Sequence, residues 1–146
     1  MPEKIIKFEI VTPERIIFKE EIKQVSVPTK SGEITVLPDH IPLVSSLEPG
    51  VIEILKIDGR REIMSVSGGF IEVLRDKVVI LADTAERAEE LDESRIMEAR
   101  ERAEKSIANL RHFDQEVFFN ISAKLAKELA RSRALKRWKK QVGKNN

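Results

Sequence analysis

Apolar and polar residues alternate along the first part of the chain. In residues 4–11, Ile6, Phe8 and Ile10 share one side, and charged residues take the other. This period of two is typical of a half-buried β-strand. Similar short runs follow at 22–27, 33–37, 51–57, 61–66, 70–74 and 77–82, with the turn-forming pairs Ser31-Gly32, Pro49-Gly50, Asp58-Gly59 and Gly68-Gly69 near their ends. This regular spacing predicts an antiparallel sandwich or barrel.

The apolar spacing changes to three or four residues beyond about residue 83. Two apolar stripes result: Ile96, Ala99, Ala103, Ile107 and Leu110, then Phe118, Ile121, Leu125 and Leu129, with Leu135 and Trp138 in continuation. Asp92 and Asp114 are suited to cap the two helices, and Phe113 and Phe118 to form a hydrophobic staple. The pattern predicts an antiparallel helical hairpin. Because its alanines bury little apolar area, we expect the hairpin to need another surface for full order.

These patterns predict an α+β chain of two parts. Residues 1–85 form the antiparallel β-sandwich, and residues 86–146 form the C-terminal two-helix hairpin. Composition agrees, because all six prolines of the 146-residue chain occur by residue 49, and residues 70–142 contain neither Gly nor Pro. Hydrophobic residues make up 41% of the chain, which is enough for a packed core.

Charge is distributed unevenly behind a formal net charge of +1. Residues 86–116 carry six basic and ten acidic side chains, whereas residues 117–146 carry nine basic and one acidic side chain. The basic second helix is open to three interpretations: a solvated face, a docking helix for an acidic surface, or a nucleic-acid-binding element. The last lacks a recognised motif, since Trp138 is the only aromatic residue among the cations.

Several kinds of chemistry are excluded by residue content. The chain has no cysteine, which rules out disulfides, cysteine-ligated metals and a thiol nucleophile. No apolar run approaches the roughly 20 residues that a spanning helix needs, and the first residues do not resemble a signal peptide. No hydrolase, metalloprotease or P-loop motif occurs, so a small hydrolase is the least supported alternative. We expect no catalysis by this chain alone, no metal and no required cofactor.

Five segments together resemble one family. Residues 32–43 (GEITVLPDHIPL) are similar to the signature loop of the epsilon subunit of rotary F-type ATP synthases. Residues 47–50, 67–73, 79–85 and 91–95 resemble the same family in the same order. The resemblance extends over about residues 4–140, which is nearly the whole chain.

The resemblance implies a non-catalytic rotor subunit. Its β-sandwich, of about ten strands, would bind the gamma subunit and the ring of c subunits, coupling the catalytic head to ion translocation. Its hairpin would extend along gamma into the alpha/beta head and inhibit ATP hydrolysis. The implied location is the cytoplasmic face of the bacterial cell membrane, as a peripheral protein that does not bind nucleic acid.

The resemblance also assigns three sets of residues. Glu33, Asp39 and His40 would contact the c ring. An acidic segment of beta would be bound by six cations: Arg131, Arg133, Lys136, Arg137, Lys139 and Lys140. A regulatory ATP would be bound by Glu86, Leu91, Asp92, Arg95 and Arg102. Ile96 stands where the family motif has alanine, so ATP binding and a merely capped, salt-bridged helix start both stay open.

Overall fold

The computed structural model describes residues 4–110 and 114–144, with the side chain of residue 144 left out. Nine strands in this part precede the helices: β1 (Ile6–Val11), β2 (Ile16–Thr29), β3 (Gly32–Val36), β4 (Leu43–Leu47), β5 (Gly50–Lys56), β6 (Arg61–Val66), β7 (Gly69–Val73), β8 (Lys77–Ala82) and β9 (Ala85–Arg87). A short 3-10 helix (Ala88–Glu90), α1 (Glu93–Ala108) and α2 (Gln115–Lys144) follow. This order confirms the predicted β-sandwich followed by two helices.

The long strand β2 connects the parts of the sheet. The strand order is β1-β8-β7-β4-β2-β5-β6-β9, with β3 also on β2 and with an additional pairing of β1 to β2. The extra pairing closes β1, β8, β7, β4 and β2 into a ring. All pairings are antiparallel except that of β1 with β8, which is parallel and departs from the purely antiparallel prediction.

The core of the sandwich is built from the strands alone. The predicted inward residues Ile6, Phe8 and Ile10 are buried, and the rings of Phe8 and Phe18 lie 5.7 Å apart. Every buried member of this core lies between Ile6 and Ala85. The sandwich therefore has its own apolar interior and does not depend on the helices for it.

The sequence pattern missed three strand segments. These are β4, β9 and the first six residues of β2, which extends well ahead of the predicted run 22–27. The β4 segment, LVSSL, is polar at two of five positions, and β9 has only three residues. Both are strands because neighbouring strands satisfy their backbone groups, a long-range effect that local alternation does not reveal.

Both predicted helix caps are confirmed. The Asp92 carboxylate accepts hydrogen bonds from the backbone N–H groups of Ser94 and Arg95, at 3.0 and 3.3 Å. Asp114 accepts from the two corresponding N–H groups of α2 at the same distances. Phe113 of the predicted staple lies outside the described residues. The division into 1–85 and 86–146 stays a prediction.

Helix α2 lies against the outer face of β5 and β6. Val51, Ile63, Ala88 and Ala134 are buried together there, and Leu91 and Trp138 pack against them. Small Ala88 and Ala134 allow the backbones to approach closely but bury little apolar surface. The sheet thus supplies the additional surface that the hairpin was expected to need, through a contact much smaller than the sandwich core.

Candidate functional site

A cleft opens where the last strand of the sheet meets the helical hairpin. It has a volume of about 490 Å³. Its lining comes from β9, the 3-10 helix and both long helices: Glu86, Glu90, Leu91, Asp92, Arg95, Ile96, Glu98, Ala99, Arg102, Glu128 and Arg131. All five residues that the family resemblance assigned to ATP are therefore brought to one cavity, although 16 positions separate the first from the last in the chain.

Arg131 of α2 forms hydrogen bonds with two carboxylates that line the cleft. Its Nε and Nη2 both donate to Oε1 of Glu86, at 2.9 and 2.5 Å, and its Nη1 donates to Glu128 at 2.5 Å. Burial by itself lowers the pKa of the Arg131 guanidinium, but the hydrogen bonds and charges of the two carboxylates outweigh burial and raise this pKa. Arg131 is thus a charged link between the sheet and the hairpin.

Ile96 forms part of the cleft wall at the point of departure from the family motif. Its side chain is 5% exposed and is the buried residue of α1. The β-branched side chain takes space that an alanine would leave open. A cavity nevertheless remains beside it.

A second groove continues from the cleft along the seam between α1 and α2. Its volume is about 380 Å³, and it shares Ala99, Arg102, Glu128 and Arg131 with the cleft. Lys124 and Lys127 add two cations from α2. Sequence reasoning did not assign these lysines or Glu128 to the site. Glu128, Lys127 and Lys124 lie three, four and seven residues before Arg131, which places all of them on one helix face and could have indicated them.

The predicted c-ring residues do not form a single cluster. Glu33 is an exposed residue near the start of β3, whereas Asp39 and His40 lie in the loop after that strand. Lys4 Nζ lies 2.5 Å from Asp39 Oδ2. This hydrogen bond and the Lys4 charge lower the pKa of the Asp39 carboxyl. Asp39 is also the one non-glycine residue with positive φ, 65°, in the described part of the chain.

His40 is hydrogen-bonded to the backbone of its own loop. Its Nδ1 lies 2.7 Å from the carbonyl oxygen of Ile41, and because a carbonyl only accepts, Nδ1 donates. Its backbone N–H donates to the carbonyl of Leu37. Leu37 and Ile41 expose their own side chains beside it. The loop therefore presents apolar as well as polar groups.

The six cations assigned to an acidic partner divide into two classes. Arg131, Arg137 and Lys139 form ion pairs with Glu86, Glu53 and Glu93, which belong to other elements of the chain. Arg133, Lys136 and Lys140 are exposed and have no ion pair among the described residues. The structure thus places half of the predicted docking set against the protein's own carboxylates.

The sheet carries an exposed apolar patch on the side away from α2. Phe70 of β7 lies directly opposite Leu81 of β8, and Val44 lies on β4, the other neighbour of β7. All three side chains are more than half exposed. Contiguous apolar exposure of this kind marks an interaction surface. Sequence reasoning did not single it out, because strand alternation does not say which outer face stays uncovered.

The described residues contain neither a metal-site constellation nor a spanning helix. No group of three or more His, Asp and Glu residues among them is arranged to hold a metal ion. Within residues 4–110 and 114–144, no helix is long and apolar enough to cross a membrane.

Sequence comparisons with known proteins all find ATP synthase epsilon or delta/epsilon chains. The family model for the beta-sandwich domain of the ATP synthase delta/epsilon chain matches residues 5–88. The ATP synthase epsilon chain of Chloroflexus aurantiacus is 46% identical over 128 residues, which is 88% of this chain and 90% of that protein. That of Chloroflexus aggregans is 52% identical over 98 residues, covering 67% and 70%.

Solved structures extend the likeness to 92% of the chain. A chain of the Euglena gracilis mitochondrial ATP synthase, in an OSCP/F1/c-ring structure, aligns with a TM-score of 0.78 and 26% identity, covering 92% of this chain and 83% of that one. A chain in the Tetrahymena thermophila central stalk and c-ring structure aligns with a TM-score of 0.64 at 10% identity, which shows the fold alone.

The family match covers more than half of the chain, and the relatives are similar over both the sandwich and the start of the hairpin. The predicted resemblance is therefore confirmed. The chain belongs to the family of ATP synthase epsilon chains, non-catalytic subunits of the F-type rotary complex.

Proposed function

We propose that this chain couples the catalytic head to the c ring as part of the rotor and inhibits ATP hydrolysis when its hairpin leaves the sandwich. In this proposal the sandwich binds the gamma subunit and the c ring, and α2 docks on an acidic segment of the beta subunits. The chain acts at the cytoplasmic face of the bacterial cell membrane without crossing it.

The observation that carries this proposal is the separateness of the two packing regions. The sandwich core is complete without the helices, whereas α2 rests on the sheet through a much smaller apolar cluster and through ion pairs. A contact of this kind buries little apolar surface, so exposing that surface to water costs little free energy. The contact can therefore open while the sandwich stays folded. Arg133, Lys136 and Lys140, which have no ion pair within residues 4–110 and 114–144, then supply positive charge for an acidic partner.

A truncation tests the inhibitory role. The complex assembled with residues 1–110 should hydrolyse ATP faster than the complex with the full chain, because α2 and its cations are missing. Circular dichroism and gel filtration of residues 1–110 would establish that the sandwich still folds, as its core residues all lie before residue 86. Equal hydrolysis rates in two fully assembled complexes would contradict inhibition by this hairpin.

We further propose that ATP binds the cleft between sheet and hairpin and favours the docked state. The support is the convergence of Glu86, Leu91, Asp92, Arg95 and Arg102 on one cavity, with more cations along the adjoining groove. Guanidinium and ammonium groups are suited to phosphate oxygens. Because ATP would contact residues of both parts, it would shift the equilibrium by its difference in affinity between the two states.

Titration calorimetry on the isolated chain tests nucleotide binding. Heat of binding should appear with ATP and weaken in the variants Arg95→Gln and Arg102→Gln. Arg133→Gln is the matched control, because Arg133 carries the same charge on α2 but does not line the cleft. Absence of binding at millimolar ATP would exclude a useful ATP sensor.

For the rotor contacts, we assign the loop around Asp39 and His40, together with Glu33, to the c ring. The gamma subunit is assigned to the patch of Val44, Phe70 and Leu81, because α2 already occupies the opposite face over β5 and β6. Crosslinking from position 33 to the polar loop of the c subunit tests the first contact. A coupled complex that gives no crosslink would count against it.

A further inference from the structure

Three carboxylates from three different elements face α2. Glu53 of β5, Glu86 of β9 and Glu93 at the start of α1 pair with Arg137, Arg131 and Lys139. Arg131 Nη2 lies 2.5 Å from Glu86 Oε1, and Arg137 Nη1 lies 3.7 Å from Glu53 Oε2. The three cations span more than two turns of α2, so the pairs hold the helix along its length.

Glu53 is shared between the sheet and the hairpin. Its Oε1 accepts from Arg61 of β6 at 3.2 Å, and its Oε2 faces Arg137 of α2. It follows Val51 by two positions and therefore lies on the same face of β5, the face that α2 covers. Because Arg61 stays beside it when α2 leaves, the Glu53 carboxylate keeps one partner in both states.

We propose that Glu53, Glu86 and Glu93 are an internal decoy for the acidic partner, competing with it for Arg131, Arg137 and Lys139. The inference rests on the proposed function, since it concerns what regulates release of the hairpin. The docked hairpin already satisfies half of its cationic set with the protein's own carboxylates. Leaving the sandwich exchanges those pairs for intermolecular ones, so Arg131, Arg137 and Lys139 meet a carboxylate in both states and do not by themselves favour either state.

The other three cations of the docking set favour the state in which α2 binds the partner. Arg133, Lys136 and Lys140 have no ion pair in the docked state among the described residues, so an acidic surface adds their attraction without first breaking a contact. The three decoy carboxylates supply the opposing bias, because they act only in the docked state. The two groups should therefore change inhibition in opposite directions when neutralised.

Hydrogen exchange of the isolated full chain measures how strongly the three decoy carboxylates hold α2 on the sandwich when no partner is present. The triple variant Glu53→Gln, Glu86→Gln and Glu93→Gln should increase exchange in the part of α2 around Ala130 and Ala134, which is buried when docked. Each partly exposed pair accounts for about a two- to fivefold change in the open population. A triple Glu14→Gln, Glu21→Gln and Glu48→Gln variant loses the same charge from exposed residues that do not face α2, and should exchange like the parent chain.

ATP hydrolysis by the assembled complex measures the competition. The decoy triple variant should inhibit more strongly than the parent chain. Lys136→Gln should inhibit less strongly while leaving exchange in the isolated chain unchanged. Arg137→Gln should change inhibition less than Lys136→Gln does, because it weakens both the docked and the extended state.

The results separate this inference from the function on which it rests. Unchanged exchange in the decoy triple variant overturns the inference, whatever hydrolysis shows. If hydrogen exchange of α2 rises in the decoy triple variant but ATP hydrolysis by the complex is unchanged, the proposed inhibitory function is contradicted, and so is the competition for a partner. Raised exchange together with stronger inhibition supports the inference, provided that the control triple variant changes neither.

Discussion

Arg131 of α2 places two nitrogen donors on a single carboxylate oxygen of Glu86 in β9, across 45 positions of the sequence. This contact lies inside the cleft assigned to ATP, and its arginine is also one of the cations assigned to the beta subunits. One side chain therefore connects sheet, hairpin, cleft and partner surface.

A double-mutant cycle of Glu86→Gln and Arg131→Gln should show coupling in the docking of α2. Both side chains are about one quarter to one third exposed, so we expect a coupling of about 1 kcal/mol, reduced by added salt. Hydrogen exchange of α2 at two salt concentrations provides the measurement. The pair Lys105 and Glu101, both largely exposed within α1, is the control and should show much weaker coupling.

The variant Ile96→Ala should bind ATP more tightly than the parent chain, because it removes methyl and methylene groups from the cleft wall. We expect roughly a tenfold gain in affinity, the scale of one or two methylenes in a binding pocket. The same change should cost about 2 kcal/mol of stability, since Ile96 is buried. Calorimetry and thermal unfolding measure the two effects.

Met97→Ala is the control for that experiment, because Met97 neighbours Ile96 in α1 but is 62% exposed. It should alter neither ATP affinity nor stability appreciably. Weaker ATP binding in Ile96→Ala would contradict the idea that the isoleucine crowds the nucleotide.

The Asp39 carboxyl should titrate below its ordinary pKa of 3.8, and Lys4→Met should bring its pKa back towards that value. A carboxyl with a lowered folded-state pKa stabilises the fold above pH 3.8, and this contribution is lost as the pH falls through the lower folded value. Nuclear magnetic resonance titration of the Asp39 side chain measures the shift. Lys7→Met is the control, and an equal shift in that variant would exclude a specific Lys4 contact.

Gly69→Ala should destabilise the sandwich strongly. The glycine has a φ of 133°, and a Cβ there would lie 2.1 Å from the carbonyl oxygen of Leu81 on the paired strand β8. Gly32→Ala is the matched control, because its φ of 114° is also unfavourable but nothing lies within 4 Å of its Cβ. Backbone strain alone costs about 1–3 kcal/mol. Thermal unfolding should show a larger loss for Gly69→Ala, and equal losses would contradict the steric clash.

Local patterns predicted the elements that repeat a simple period. The alternation of Ile6, Phe8 and Ile10 predicted β1, and Asp92 and Asp114 predicted the two helix starts. The hairpin at Asp58-Gly59 is present, with Gly59 at a φ of 85°. Strand β4 was not predicted because it is stabilised by pairing with β7 and its own residues do not alternate regularly between apolar and polar.

The sequence by itself determined the two kinds of secondary structure, the helix caps, the acidic and basic helices and the resemblance to a family. These depend on local spacing and residue type. The tertiary structure decided which outer face of the sheet α2 covers, and therefore that Glu53, Glu86 and Glu93 meet cations more than 40 positions away. It also left Phe70 and Leu81 exposed side by side. Such contacts depend on how strands and helices pack across long sequence separations, which no local period encodes.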